Sequence, residues 1–287
     1  MAFGSGDYTY DVVEDWWSPP NGWTFGVITG VACDSEDRVY VYSRSDHPMI
    51  VCDRDGSFMD SWGEGILTDS HGILIDEDDT VYCVERMTHC MYKFRRNGEL
   101  LMTVGTPDRA AAAGEPFNKP TDIDFDSSGF MYITDGYGNS RVHKFTPDGT
   151  LVKSWGEAGS GPGQFNLPHC VRIDKHDRLL VADRPNDRIQ FFNTDGAFLH
   201  EWTGLHWPDG IFIDDDAEVV YVAEHGYRVS IWTFDGTKIT EWGRGEESDV
   251  PGEFKWRPHG IWVDSLGDVY VTEVEGGPRI QKFARRR

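Results

Sequence analysis

The stretch Lys119-Pro120-Thr121-Asp122-Ile123-Asp124-Phe125-Asp126 leads into Phe130-Met131-Tyr132-Ile133-Thr134-Asp135 and Arg141-Val142-His143-Lys144-Phe145. An Asp148-Gly149 turn and a last run from Leu151 to Trp155-Gly156 complete the unit. Each piece alternates apolar and polar residues and is bounded by Gly, Asp or Pro, which is the pattern of a half-buried strand. The unit then recurs along the chain. Its second strand reappears as Val39-Tyr40-Val41, Val81-Tyr82-Cys83, Leu180-Val181-Ala182, Val220-Tyr221-Val222 and Val269-Tyr270-Val271. The hairpin recurs at Asp55-Gly56, Asn97-Gly98, Asp195-Gly196 and Asp235-Gly236, and the closing aromatic at Trp62-Gly63, Trp242-Gly243 and Trp202. A spacing of about 40 to 50 residues is that of four-stranded propeller blades.

The sequence therefore predicts an all-β, six-bladed β-propeller occupying residues 1–287 as one domain. The sixth unit stops at Phe283 without a fourth strand, and the alternating run from Tyr8 to Trp17 is the candidate to supply it. Closing the ring in this way removes an exposed sheet edge. The segment Pro107 to Pro116, with its alanine run, reads as a surface loop between blades two and three.

The 27 basic and 49 acidic residues leave a formal charge of −22. Acidity of that size repels phosphate backbones and anionic lipid, so neither nucleic acid nor membrane is an expected partner. No run approaches the roughly 18 apolar residues of a membrane span. The start of the sequence carries no positive segment followed by an apolar one, so a cytoplasmic location is expected. Five dispersed cysteines form no close pair and argue against a disulfide scaffold. The basic tail Arg285-Arg286-Arg287 reads as a frayed end.

Aligning the repeats places equivalent residues on rings around the channel. The position just before each innermost strand holds Thr29, His71, Thr121, His169, Asp209 and His259. Histidine occupies every second blade, so three imidazoles related by about 120° converge on the axis of a six-fold ring. One such histidine is an ordinary turn or core residue; three at one repeat position are a metal site. Three imidazoles leave a coordination position open and suit zinc, iron or copper, with zinc the first reading and iron or another divalent metal left open.

A second ring after the central strands holds Ser43, Glu85, Asp135, Asp183, Glu224 and Glu273, read as structural carboxylates tying loop amides. The next holds Arg44, Arg86, Gly136, Arg184, His225 and Val274. Its cations face the histidine end of the channel and point to a small anionic or hydroxy-acid-like substrate, since guanidinium matches carboxylate. The segment Asp135-Gly136-Tyr137-Gly138-Asn139-Ser140-Arg141 is longer than its counterparts and lifts Tyr137 toward the mouth. A phenol beside a metal dication and an arginine is a candidate general base.

With these motifs, and with Arg44-Ser45-Asp46-His47, Pro162-Gly163-Gln164-Phe165, Pro168-His169 and Ala182-Asp183-Arg184, the chain resembles the NHL-repeat propellers. Among them it is similar to the peptidyl-α-hydroxyglycine α-amidating lyase family. That resemblance implies zinc on His71, His169 and His259, Tyr137 as base, Arg184 assisting it and Arg44 holding a carboxylate. It also implies a structural calcium, bound by the carbonyls of Val31 and Ile73 and by an aspartate directly after the third histidine. Here Gly260 stands at that aspartate position, and Arg257 stands where the family has methionine. Gly138 replaces the cysteine of the secreted members, in keeping with an intracellular relative. Arg257, with Arg86 and Asp209, joins the expected substrate-binding set and suggests a smaller or more anionic substrate than a peptide.

Three functions compete on these residues. One is a metal-dependent lyase that cleaves a C–N bond of an α-hydroxyglycine or carbinolamide-like carboxylate. A second is a hydrolase or hydratase in which the metal activates water and Tyr137 or Asp209 handles the proton. The third is a non-enzymatic scaffold that binds partners through the propeller rim.

Overall fold

The computed structural model describes residues 1–112 and 114–287. Residue 113, inside the expected 107–116 loop, lies outside the described residues. Six antiparallel sheets are arranged as the blades of a propeller. The innermost strands are Ile28–Cys33, Ser70–Ile75, Asp122–Phe125, Pro168–Ile173, Pro208–Asp214 and Arg257–Val263. Each runs into its blade's second strand, the one carrying the recurrent apolar triplet, whose side chains are buried on both faces.

The apolar core is divided in the same way as the ring. Six clusters of buried side chains lie between neighbouring blades, for example Ile73, Val81 and Cys83 of blade two against Tyr40, Tyr42 and Met49 of blade one. The two strongest sequence signatures meet at these interfaces. Trp62, Trp155 and Trp202, each closing a blade, lie on the hairpin glycines Gly98, Gly196 and Gly236 of the following blade. Those glycines have positive φ, and an added Cβ would come within 2.7–2.8 Å of the indole rings. Both conditions select glycine.

Blade six is completed by the start of the chain. Tyr8–Val13 pairs antiparallel with Arg279–Arg285, with Tyr10 opposite Arg285 and Val12 opposite Phe283. Trp16 lies beyond this strand, buried against Tyr270 and the hairpin of blade one. A fifth strand, Ala2–Ser5, which the repeat count does not suggest, adds to the outside of blade six and seats Phe3 in the core. The basic tail is not frayed: Arg285 ends the last strand, and Arg286 pairs with Asp11 at 2.6 Å. Asp11 of the closing strand is the partner that a reading of the tail alone overlooks.

No helix is long and apolar enough to cross a membrane among the described residues. All five cysteines are buried free thiols.

Tyr10 is fully buried, with its ring 5.3 Å from Trp242 and its hydroxyl 3.3 Å from that of Tyr221. Tyr10→Ala is expected to destabilise the protein by about 3–5 kcal/mol, the usual cost of removing a large buried aromatic. Chemical denaturation monitored by circular dichroism measures this.

Candidate metal centre

The ring histidines lie within the innermost strands, not just before them as the sequence suggests. Strand pairing slips at this position in blades one, two, four, five and six, for example between Ser70 and Ile73 and between Pro258 and Ile261. Such bulges let a strand begin pairing earlier while a side chain is re-aimed, here into the channel.

Each imidazole is fixed by the next blade. His71 Nδ1 donates to the Thr121 carbonyl at 2.7 Å, His169 Nδ1 faces the Asp209 carbonyl at 3.1 Å, and His259 Nδ1 donates to the Thr29 carbonyl at 2.6 Å. A carbonyl only accepts, so the proton sits on Nδ1 and the Nε2 lone pair is left for the axis. Ring centroids are 4.7, 4.9 and 5.0 Å apart, a nearly equilateral set with ligand atoms within 4.8 Å of one another. Burial pushes all three imidazoles below their ordinary range, and neighbouring positive groups add to this at His71. Neutral, buried, pre-oriented imidazoles are a donor set that fits a divalent metal.

Tyr137 stands over this set. The segment after Asp135 forms one helical turn, Gly136–Asn139, and brings the phenol oxygen to 3.2 Å from His71 Nε2 and 3.4 Å from His169 Nε2. The Arg86 and Arg184 guanidinium carbons lie 5.4 and 5.7 Å from its ring. Burial raises the phenol above its usual range, while Arg184 and Arg86 pull it down.

Two carboxylates organise the cations. Asp69, which the sequence reading leaves out, takes Arg86 at 2.8 Å and Arg44 at 3.0 Å, so three guanidinium groups at this mouth share two acids. Its only signal is its position two residues ahead of His71. Asp209 is the second hub. Its Oδ1 lies 2.9 Å from His169 Nδ1 and accepts from Arg184 Nη1 at 3.0 Å. His225 Nε2 approaches Oδ2 at 2.7 Å, off the line that a hydrogen bond requires. Burial works to raise the Asp209 carboxyl, but His169, His225 and Arg184 hold it well below the usual carboxylate range.

Arg257 makes no ion pair with Asp69 or Asp209 among the described residues, and its Nη1 donates to the His225 carbonyl at 3.4 Å. It pairs with Glu275 at 2.6 Å and lies between the rings of Trp207 and Tyr227, at 5.9 and 5.5 Å. Two aromatic faces and an acid hold it on the rim of blades five and six. The calcium donor set is likewise not assembled. Val31 and Ile73 line the channel beyond the histidines, but a Cβ at Gly260 would meet the Thr29 carbonyl at 2.8 Å, leaving no room for an acid. Asp122, a carboxylate that also lines this stretch, gives its Oδ2 to Arg172 at 2.6 Å, while its Oδ1 is buried without a partner among the described residues. Calcium needs six to eight oxygens, and these residues do not supply them.

The second ring performs its structural task. Glu85 accepts the main-chain N–H of Thr68 and Asp69, Asp135 that of Asn118, and Asp183 that of Asn166. Glu224 accepts from His206 and Glu273 from Trp256.

Residues 117–145 and 165–192 match the NHL repeat. The chain is 30% identical to NHL repeat-containing protein 3 of Mus musculus, over 93% of this chain and 82% of that protein. It is 27% identical to peptidyl-alpha-hydroxyglycine alpha-amidating lyase 2 of Drosophila melanogaster, over 62% of this chain and 50% of that protein. Among solved structures, the virginiamycin B lyase of Staphylococcus aureus superposes with a TM-score of 0.64 at 16% identity, covering 96% of this chain and 89% of that one. At that identity the likeness is one of fold.

Asp209→Asn removes the charge that orients His169 and is expected to weaken metal affinity by about 10- to 100-fold without unfolding the propeller. Competition against a chromophoric chelator, beside a thermal melt, measures both.

Proposed function

The chain belongs to the NHL-repeat proteins, and on the three-histidine channel with Tyr137 above it we propose a metal-dependent lyase acting on α-hydroxyglycine-like carboxylates. The observation that carries this reading is the placement of one phenol oxygen within 3.4 Å of two metal-ready nitrogens, among three arginines. Its distant relationship to the amidating lyases points the same way.

His71, His169 and His259 would hold the metal, zinc being the first assignment. A divalent cation there would supply Lewis-acid polarisation of a substrate oxygen. Arg44, half-shared with Arg86 on Asp69, binds the carboxylate of a small anionic substrate at the mouth. With Arg184 and Arg86 beside the ring and a divalent cation on the histidines to offset burial, the Tyr137 phenolate would be favoured, and it takes the proton of the substrate hydroxyl. The C–O bond becomes C=O as the C–N electron pair leaves on nitrogen, and Tyr137 returns the proton to that nitrogen. Glyoxylate and an amide are released, with no net change in protons or electrons.

Purified protein is expected to carry about one equivalent of zinc or iron, absent from a His71/His169/His259 triple-alanine variant. Elemental analysis reads this directly. Tyr137→Phe should keep the metal and lose glyoxylate release by about 100-fold or more. Activity that survives Tyr137→Phe but not His169→Ala would favour a metal-dependent hydrolase or hydratase. A protein that neither contains nor takes up metal would leave the propeller as an interaction scaffold.

A further inference from the structure

Each buried carboxylate of the second ring needs donors, and the blades meet that need differently. In blades four, five and six the arginine opening the third strand pairs with it: Arg188 with Asp183 at 2.9 Å, Arg228 with Glu224, and Arg279 with Glu273 at 2.8 Å. Two residues further along, a neutral side chain adds a bond: Gln190 to Asp183, Ser230 to Glu224 and Gln281 to Glu273. Blade one has Ser43 in place of the acid and Ile50 in place of the donor. The donor disappears together with the acid.

Blades two and three depart from this scheme: in blade two Cys90 and Tyr92 hold the two positions, and Glu85 accepts from the Tyr42 hydroxyl of blade one. In blade three Arg141 opens the third strand but makes no ion pair with Asp135, and its Nε is buried without a partner among the described residues. The donor position holds His143, whose Nε2 reaches Asp135 Oδ2 at 3.2 Å while Nδ1 engages the Ser154 hydroxyl at 2.6 Å. His143 and Asp135 are both completely buried. The same Oδ2 accepts from Asn139 Nδ2 at 2.7 Å, and Oδ1 accepts the Asn118 N–H at 2.9 Å. Asp135 thus immediately precedes the one-turn helix that carries Tyr137 and holds its far end through Asn139, and His143 is the third-strand side chain holding Asp135.

We infer that His143 is a positioning residue for Tyr137, acting through Asp135 and the Gly136–Asn139 turn. The inference rests on the reading above that Tyr137 works over the three histidines. His143 touches neither the metal ligands nor the mouth, so its effect is on where the phenol stands. A phenol displaced by about 1 Å costs on the order of 100-fold in rate.

The test uses metal-loaded full-length protein and two variants, His143→Leu and His143→Gln, the second copying the donor of blades four and six. In His143→Leu, amide exchange at residues 136–139 should rise about tenfold and kcat for glyoxylate release should fall at least tenfold. KM should stay within about twofold and metal content unchanged, because Arg44 and the histidines are untouched. His143→Gln should restore both exchange and kcat to within about threefold of the parent. Unchanged exchange at 136–139 in His143→Leu would overturn the inference, as would loosening spread over all of blade three or failure of glutamine to rescue. If the parent itself shows no turnover, the lyase reading falls, and the exchange pattern still decides the role of His143.

Discussion

Three hydrogen bonds join the architecture of this protein to its chemistry: those from the channel imidazoles to the carbonyls of the following blade. Each spans a blade interface, so the site exists only when the ring is closed and in register. The even blades supply the convergent imidazole nitrogens, and the odd blades supply the acceptors that choose the tautomer. Without those carbonyls the imidazoles could rotate or expose the wrong nitrogen, and a convergent Nε2 set would not persist. The closing strand at Tyr8–Val13 has the same importance, because blade six carries His259 and its acceptor is in blade one.

Around that centre the protein keeps its buried charges in defined partnerships. The second-ring acids are completely buried, and each accepts from at least one main-chain amide and at least one side-chain donor. An isolated carboxylate in such a place would be costly, and the repeat meets the cost with amides from the segment entering the blade. This device also sets the height of the residue that follows each acid. Arg86, Arg184 and His225 follow such acids, Arg44 follows Ser43 at the equivalent point of blade one, and blade three uses that point to start the turn bearing Tyr137.

The mouth contrasts with the rest of the surface. A chain with a formal charge of −22 concentrates three guanidinium groups against two carboxylates over its histidines. Under the proposed function, this concentration of cations inside an acidic molecule is what a small anionic substrate would meet on entering the channel. Arg257, bonded to the His225 carbonyl, is paired with Glu275 and lies against two aromatic rings.

The repeat made most of this legible from residues alone. Recurrent apolar triplets, hairpin glycines and closing tryptophans fixed the blade count, because each is a local requirement of backbone or packing that every unit must satisfy. Alternation of His71, His169 and His259 with Thr29, Thr121 and Asp209 followed from the same alignment. Three things remained for the tertiary structure, and all are contacts between residues far apart in the chain. Ala2–Ser5 becomes a strand only because blade six offers an edge. Asp69 binds Arg44 and Arg86 only because two blades bring them to one carboxylate. Arg257, a cation beside the metal when read along the sequence, meets Trp207, Tyr227, Glu275 and the His225 carbonyl, whose positions no periodicity encodes. Sequence determined which residues share a ring, because backbone geometry repeats; only the closed fold decided which of them meet, because partner choice depends on side chains arriving from other blades.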